Sequence, residues 1–227
     1  MILTSLGLLA VAPAARAQGV STTDAREATR FAAVVRAASR AGYANAVVVG
    51  HGESAATDSI FALTATRADS GVLILVLQQQ SAGAAARPAE LERASTPADL
   101  GLRGITFASF LGANGIVDVV VNHVPFQLES SRSFETHHLV RRAASGLDAA
   151  CEFPGQSTSS ASKGIGSIQG ASRVTITRTG QGLPIEFMVR QVDQTTEQSR
   201  GAAPVTSVQS DSTRRYQLPS SGKCRRV

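Results

Sequence analysis

The apolar positions of this chain change period once, near residue 42. Over 25–41 they recur at helical spacing, and Phe31, Val34, Val35 and Ala38 fall on one stripe. Thr23-Asp24 supplies an N-cap, and Gly42 stands where a C-terminal cap glycine belongs. A helix is therefore predicted over 23–41.

After Gly42 the pattern is one of strands and turns. Residues 46–49 are a short apolar run ended by Gly50-His51-Gly52. Residues 59–67 alternate loosely, with Phe61 and Leu63 on one face. Asp69-Ser70-Gly71 is a turn signal, and 72–77 is apolar on both faces, so this hairpin's second strand belongs at a sheet centre. Residues 81–101 are rich in Ala, Pro, Ser and Glu and read as a connection, with a turn of helix at 89–93. A second hairpin joins 104–111 to 116–124 through a turn containing Asn114-Gly115. On its return strand Val117, Val119, Val121 and His123 share a face, and Asp118 and Asn122 point the other way.

Residues 133–145 fit either a helix or a strand, and the neighbouring hairpins favour strand. The Gly/Ser-rich stretch 155–171 reads as a mobile loop. A third hairpin joins 173–177 to 185–192, with Pro184 at the strand start, where a missing N–H is tolerated. From residue 194 onward Gln, Ser and Thr dominate, so 194–227 is expected to be a polar, basic C-terminal tail. The predicted fold is mainly β: an antiparallel sandwich or partly open barrel built from hairpins, with one N-terminal helix packed on it. A single β-rich domain is assigned to 18–193.

The first residues change the picture of where the protein works. Residues 2–12 are apolar, and Ala15-Arg16-Ala17 before Gln18 has the small residues of a cleavage site, so 1–17 reads as a secretory signal peptide. No Lys or Arg precedes the apolar run, and the true start is expected upstream of Met1. No later stretch approaches the roughly 18 apolar residues of a membrane-spanning helix. The two cysteines, Cys151 and Cys224, are expected to form one disulfide in an oxidising compartment, periplasmic or extracellular.

The formal charge of +5 comes from arginine, since lysine occurs only at Lys163 and Lys223. An Arg- and Ala-rich, Lys-poor chain fits a GC-rich bacterial genome. Arg214, Arg215, Lys223, Arg225 and Arg226 make the C-terminal region basic and suit it to an anionic envelope surface. Nucleic acid is not the expected partner: aromatics are 4% of residues and no stacking pattern is present.

Candidate chemistry is thin. Gly52-Glu53-Ser54-Ala55-Ala56 is one residue from the G-x-S-x-G elbow of serine hydrolases and follows an apolar run. Acyl transfer would then use Ser54 as nucleophile, with His138 as base and Asp118 as its orienting acid. Glu135 and His137 share a face if 133–145 is a strand and so could meet one metal ion, but their spacing fits no metal-binding signature. Gly164-Ile165-Gly166-Ser167 lacks the strand–loop–helix context of a phosphate cradle, and no cofactor is expected. These residues point first to an exported, non-catalytic binding or structural protein. An esterase-like hydrolase built on Ser54 is the first alternative. A carrier of apolar ligands, with a cavity lined by Leu73, Leu75, Val119 and Val121 or by the opposite faces of those strands, is the second.

Overall fold

The helix α1 (Thr22–Arg40) closes as its sequence predicts. Gly42 has φ +90°, its N–H donates to Ser39 O at 3.0 Å, and Tyr43 N–H reaches back to Ala38 O at 3.1 Å. This pair of bonds is the Schellman arrangement, and only glycine takes that φ without strain. In this computed structural model, residues 22–54, 58–68, 70–79, 88–112, 115–125, 130–143, 146–163, 166–180 and 182–227 are described, so segment 1–17 lies outside the described residues.

Twelve strands follow among the described residues. β1 (Ala44–Ser54), β2 (Asp58–Arg67), β3 (Gly71–Gln79) and β4 (Ala89–Ala94) form a four-stranded antiparallel sheet in chain order. A short helix α2 (Pro97–Leu100) leads to the second sheet. It contains β5 (Leu102–Ser109), β6 (Ile116–His123), β7 (Ser130–Ala143), β8 (Gly146–Lys163), β9 (Gly166–Arg178), β10 (Ile185–Gln198), β11 (Val205–Leu218) and β12 (Arg225–Arg226). These eight strands are also paired in chain order and antiparallel. Both sheets are open meanders, as in a sandwich, and neither closes into a barrel.

The first sheet is covered on both faces. Phe61, Leu63, Leu73, Leu75 and Leu77 pack beneath Val34, Ala37 and Ala38 of α1. The alternate residues Ile60, Ala62 and Val76 pack against Val117, Val119 and Val140 of the second sheet. This double burial explains the apolar run at 72–77, which carries core residues on both sides. Leu73 and Leu75 thus lie under the helix, and Val119 and Val121 in separate clusters between the sheets.

The eight-stranded sheet folds over itself. β8 pairs with β7 from Gly146 to Ala161, but with β9 only from Ser157↔Ser172 to Lys163↔Gly166. Below that point β9 stays with β10 as far as Arg178↔Phe187. The diverging halves enclose a third core, where Leu139, Cys151 and Phe153 meet Ile185, Phe187, Val189 and Leu218. The split falls at a β8 bulge, where Gly155 and Gln156 stand opposite the single residue Glu135. A Cβ at Gly155 would lie 2.7 Å from Glu135 Cβ and 2.9 Å from His137 Cδ2, so only glycine fits.

Several expectations are corrected here. Residues 155–163 and 166–171 are not a loop but the end of β8 and the start of β9. Residues 194–227 are not a free tail: they complete β10 and form β11 and β12. Residues 89–93 belong to a strand rather than to a turn of helix. Residues 133–143 are strand, as favoured.

The Cys151–Cys224 bridge forms and straps the C-terminus over the third core. Cys224 N–H donates to Ala150 O at 2.7 Å, Lys223 Nζ donates to Ala149 O, and Arg141 donates to Pro219 O and Gly222 O at 2.8 and 2.7 Å. Among the described residues no helix is long and apolar enough to cross a membrane.

Gly50-His51-Gly52 also has a packing explanation. β1 crosses close over β5, and a Cβ at Gly52 would stand 2.8 Å from both Cβ and Cγ of Phe107. His51 points the other way and packs with Phe31 and Phe61. Gly52→Ala is expected to lose about 1–3 kcal/mol through overpacking. Urea unfolding checks this, and a loss under about 0.5 kcal/mol would contradict the close approach.

Candidate functional site

Ser54 is the last residue of β1 and pairs with Asp58 of β2. An antiparallel strand therefore follows it, where the hydrolase elbow needs a helix. His138 and Asp118, its proposed partners, are not joined to each other. Asp118 Oδ2 accepts from His137 Nδ1 at 2.8 Å, while His138 Nε2 donates to Glu92 at 2.7 Å. His138 and Asp118 are thus held by different partners, Glu92 and His137.

Of the metal-reading pair, Glu135 accepts the Gln156 backbone N–H at 3.3 Å, which satisfies a donor freed by the bulge. His137 stacks flat on Phe153, with ring centroids 5.0 Å apart. Both residues serve the turn of the sheet at Gly155. Among the described residues no group of three or more His, Cys, Asp or Glu side chains could hold a metal ion.

The most developed polar centre is a buried seam between the two sheets. In β4, Glu90 pairs with Leu75 and Glu92 with Ile74, leaving Leu91 as an extra residue. This bulge turns Glu92 inward, toward His123 on β6 and His138 on β7. Its carboxylate lies 3.1 Å from His123 Nε2 and 2.7 Å from His138 Nε2. His123 Nδ1 contacts Leu100 O at 2.8 Å. Both ring nitrogens of His123 therefore face acceptors, an arrangement that favours the doubly protonated, cationic ring.

The charges of the seam follow from this geometry. Burial pushes the Glu92 pKa up, but hydrogen bonds from His123 and His138 outweigh it and hold it down at about 2. Burial opposes protonation of His123, but its bonds to Glu92 and Leu100 raise its pKa above 6.5. His123 and His138 are 3% and 2% exposed, too little for a substrate to reach. Phe134 covers His123, with ring centroids 4.6 Å apart. The seam cross-links the two sheets, with the Glu92 side chain 16% exposed between the two buried rings.

What faces solvent is a blade. Residues 130–134, 157–163, 166–172, 193–198 and 205–210 of five adjacent strands run on past the packed cores. Apart from Ser172, every described side chain in it is exposed or half-exposed. Strand alternation divides the blade into two faces. One carries the rank Ser131, Ser160, Gln169, Thr196 and Thr206, each directly opposite the next. Beside it runs Ser133, Thr158, Ala171, Gln194 and Val208. Hydroxyls meet across strands at Ser131–Ser160 (2.7 Å), Ser133–Thr158 (2.7 Å) and Thr196–Thr206 (2.9 Å). Neither rank contains a charged residue.

The opposite face does carry charge: Arg132, Asp193 and Glu197 lie on it, at positions opposite Ser159, Ser172 and Ile168. Nor is the β11 edge bare. Gln209 is an extra residue between Val208 and Ser210, a bulge that disrupts the ladder, and Asp211, Arg214 and Arg215 follow it. Bulges and charges of this kind discourage edge-to-edge pairing. The basic residues expected to form one tail are divided: Arg214 and Arg215 point to opposite faces of β11, Lys223 lies in the strap, and Arg225 and Arg226 form β12.

Comparison of the chain with known protein families, with characterised proteins and with solved structures finds no match. Glu92 and the blade were both missed in the sequence. Among the described residues Glu92 is the one acidic residue within hydrogen-bond reach of two buried histidines, and its inward aim depends on a bulge that leaves no trace in local composition. The blade does leave a signal: Ser, Thr and Gln dominate 156–162 and recur through 194–210.

Proposed function

We propose that this is a non-catalytic binding or structural protein that works outside the cytoplasm, with the five-stranded blade as its working surface. The observation that carries this reading is that the strands continue past every apolar core with both faces in water. Such an extension buries almost nothing, so hydrophobic stabilisation of the fold does not account for it. Placement outside the cytoplasm is supported by the disulfide and by the signal-like residues 1–17.

The test uses the full chain. After expression with its leader in a bacterial host, the protein is expected outside the cytoplasm with its cysteines oxidised, and to co-sediment with isolated cell-envelope material. Its hydrolysis of p-nitrophenyl acetate is expected to match that of Ser54→Ala. Ester hydrolysis that disappears in Ser54→Ala would overturn the proposal in favour of an enzyme.

A further inference from the structure

We propose that the charge-free face of the blade binds a neutral, hydroxyl-rich polymer, that is, an uncharged polysaccharide. This deepens the binding reading and rests on it. The two ranks Ser131–Ser160–Gln169–Thr196–Thr206 and Ser133–Thr158–Ala171–Gln194–Val208 offer hydroxyls and amides, which both donate and accept. Sugar hydroxyls have the same dual character, so the two surfaces can exchange hydrogen bonds without leaving a charge unpaired.

The absence of charge is local. The lower part of the same face of β9–β11 carries Arg173, Arg190, Asp211 and Arg215, and Arg190 pairs with Asp211 at 2.6 Å. On a chain of net charge +5, two ranks crossing five strands without one ionisable side chain form a bounded patch. A partner recognised through charge would find nothing there to pair with, and a neutral one meets no desolvated charge.

The patch is also suited to an extended ligand. Adjacent strands place side chains about 4.8 Å apart, so each rank spans about 19 Å. Ser and Thr lose little rotamer freedom on contact, and their cross-strand bonds already hold several in place. Each contact is weak in water, so useful affinity requires many at once, as a repeating chain provides. Ala171 and Val208 add apolar points for the C–H faces of sugar rings.

The experiment is co-sedimentation of the full chain with insoluble cellulose, chitin and starch, and with cross-linked pectate as the anionic control. Lysine substitutions in β9 and β10 give one variant for each face. The double variant Gln169→Lys/Thr196→Lys charges the neutral face, and Thr195→Lys charges the opposite one. Binding to at least one neutral polymer is expected, unchanged by added salt. The double variant should bind about tenfold more weakly, because it buries unpaired charge, while Thr195→Lys stays within about twofold.

Binding to pectate alone, lost in salt, would overturn the neutral occupant and leave the binding role intact. Equal binding by both variants would move the site off this face. A dimer of the parent chain that the double variant dissociates would make a second copy the occupant. Envelope binding unaffected by either variant, with no polysaccharide bound, would count against the blade reading itself.

Discussion

Glu92→Ala is expected to remove about 3–5 kcal/mol of folding stability, the range for breaking a buried ion pair from one side. The substitution leaves His123 and His138 buried, with their Nε2 protons facing no carboxylate. Glu92 also joins β4 of one sheet to β6 and β7 of the other, so its loss weakens the contact between layers rather than one strand. Glu92→Gln retains an acceptor but not the charge and should fall in between.

The same seam sets an acid limit. The Glu92 carboxyl is held at about 2, below its ordinary 4.5, so its contribution is full above about pH 4.5 and is lost as pH falls toward 2. A shift of that size corresponds to about 3 kcal/mol. His123 acts in the opposite sense: its raised pKa contributes fully below 6.5, and the contribution fades as pH rises through the folded value. Denaturant midpoints measured from acid to neutral pH, for the parent chain and Glu92→Gln, check both statements. Parallel profiles, or a Glu92→Ala loss below about 1 kcal/mol, would contradict the seam's role.

Removing the disulfide with Cys151→Ala/Cys224→Ala is expected to cost about 4 kcal/mol, from the chain entropy of the long loop it closes. The two cysteines are 73 residues apart in sequence. Release acts through the strap as well as through the unfolded chain. The Cys224 N–H and the Lys223 ammonium are held to β8, and Arg141 reaches the carbonyls of Pro219 and Gly222. Unfolding with and without reductant measures the stability change, and amide exchange at 219–227 reports the strap. A stability change below about 1 kcal/mol with the strap still protected would show that its hydrogen bonds alone suffice.

Legibility in the sequence followed burial. The α1 stripe, its glycine cap and the apolar hairpins are visible because one-sided or two-sided burial imposes a period on the apolar residues. The blade has no buried face and therefore no such period. Residues 157–163 and 166–171 look like a loop, yet they pair because β7 carries β8, and β10 carries β9, into the segment from apolar stretches already paired. β4 fails differently: Ala89-Glu90-Leu91-Glu92-Arg93-Ala94 has helix-forming composition, and pairing with β3 overrides it. Gly52-Glu53-Ser54 resembles chemistry because a glycine is required there, but the requirement is the ring of Phe107.

The candidate site divides along the same line. Asp118, His137 and His138 are visible as titratable residues on strands, but their partners are set by register. Diagonal placement across β6 and β7 gives Asp118 to His137, and the bulge at Leu91 gives Glu92 to His138.

The most direct measurement shortens both blade hairpins, replacing 158–171 and 194–209 each with an Asn-Gly turn, and compares denaturant unfolding with that of the full chain. A blade that serves binding rather than folding should leave a cooperative transition within about 1 kcal/mol of the parent. An unfolded product, or a loss of several kcal/mol, would show that the blade is part of what holds the fold together and would contradict its assignment as a working surface.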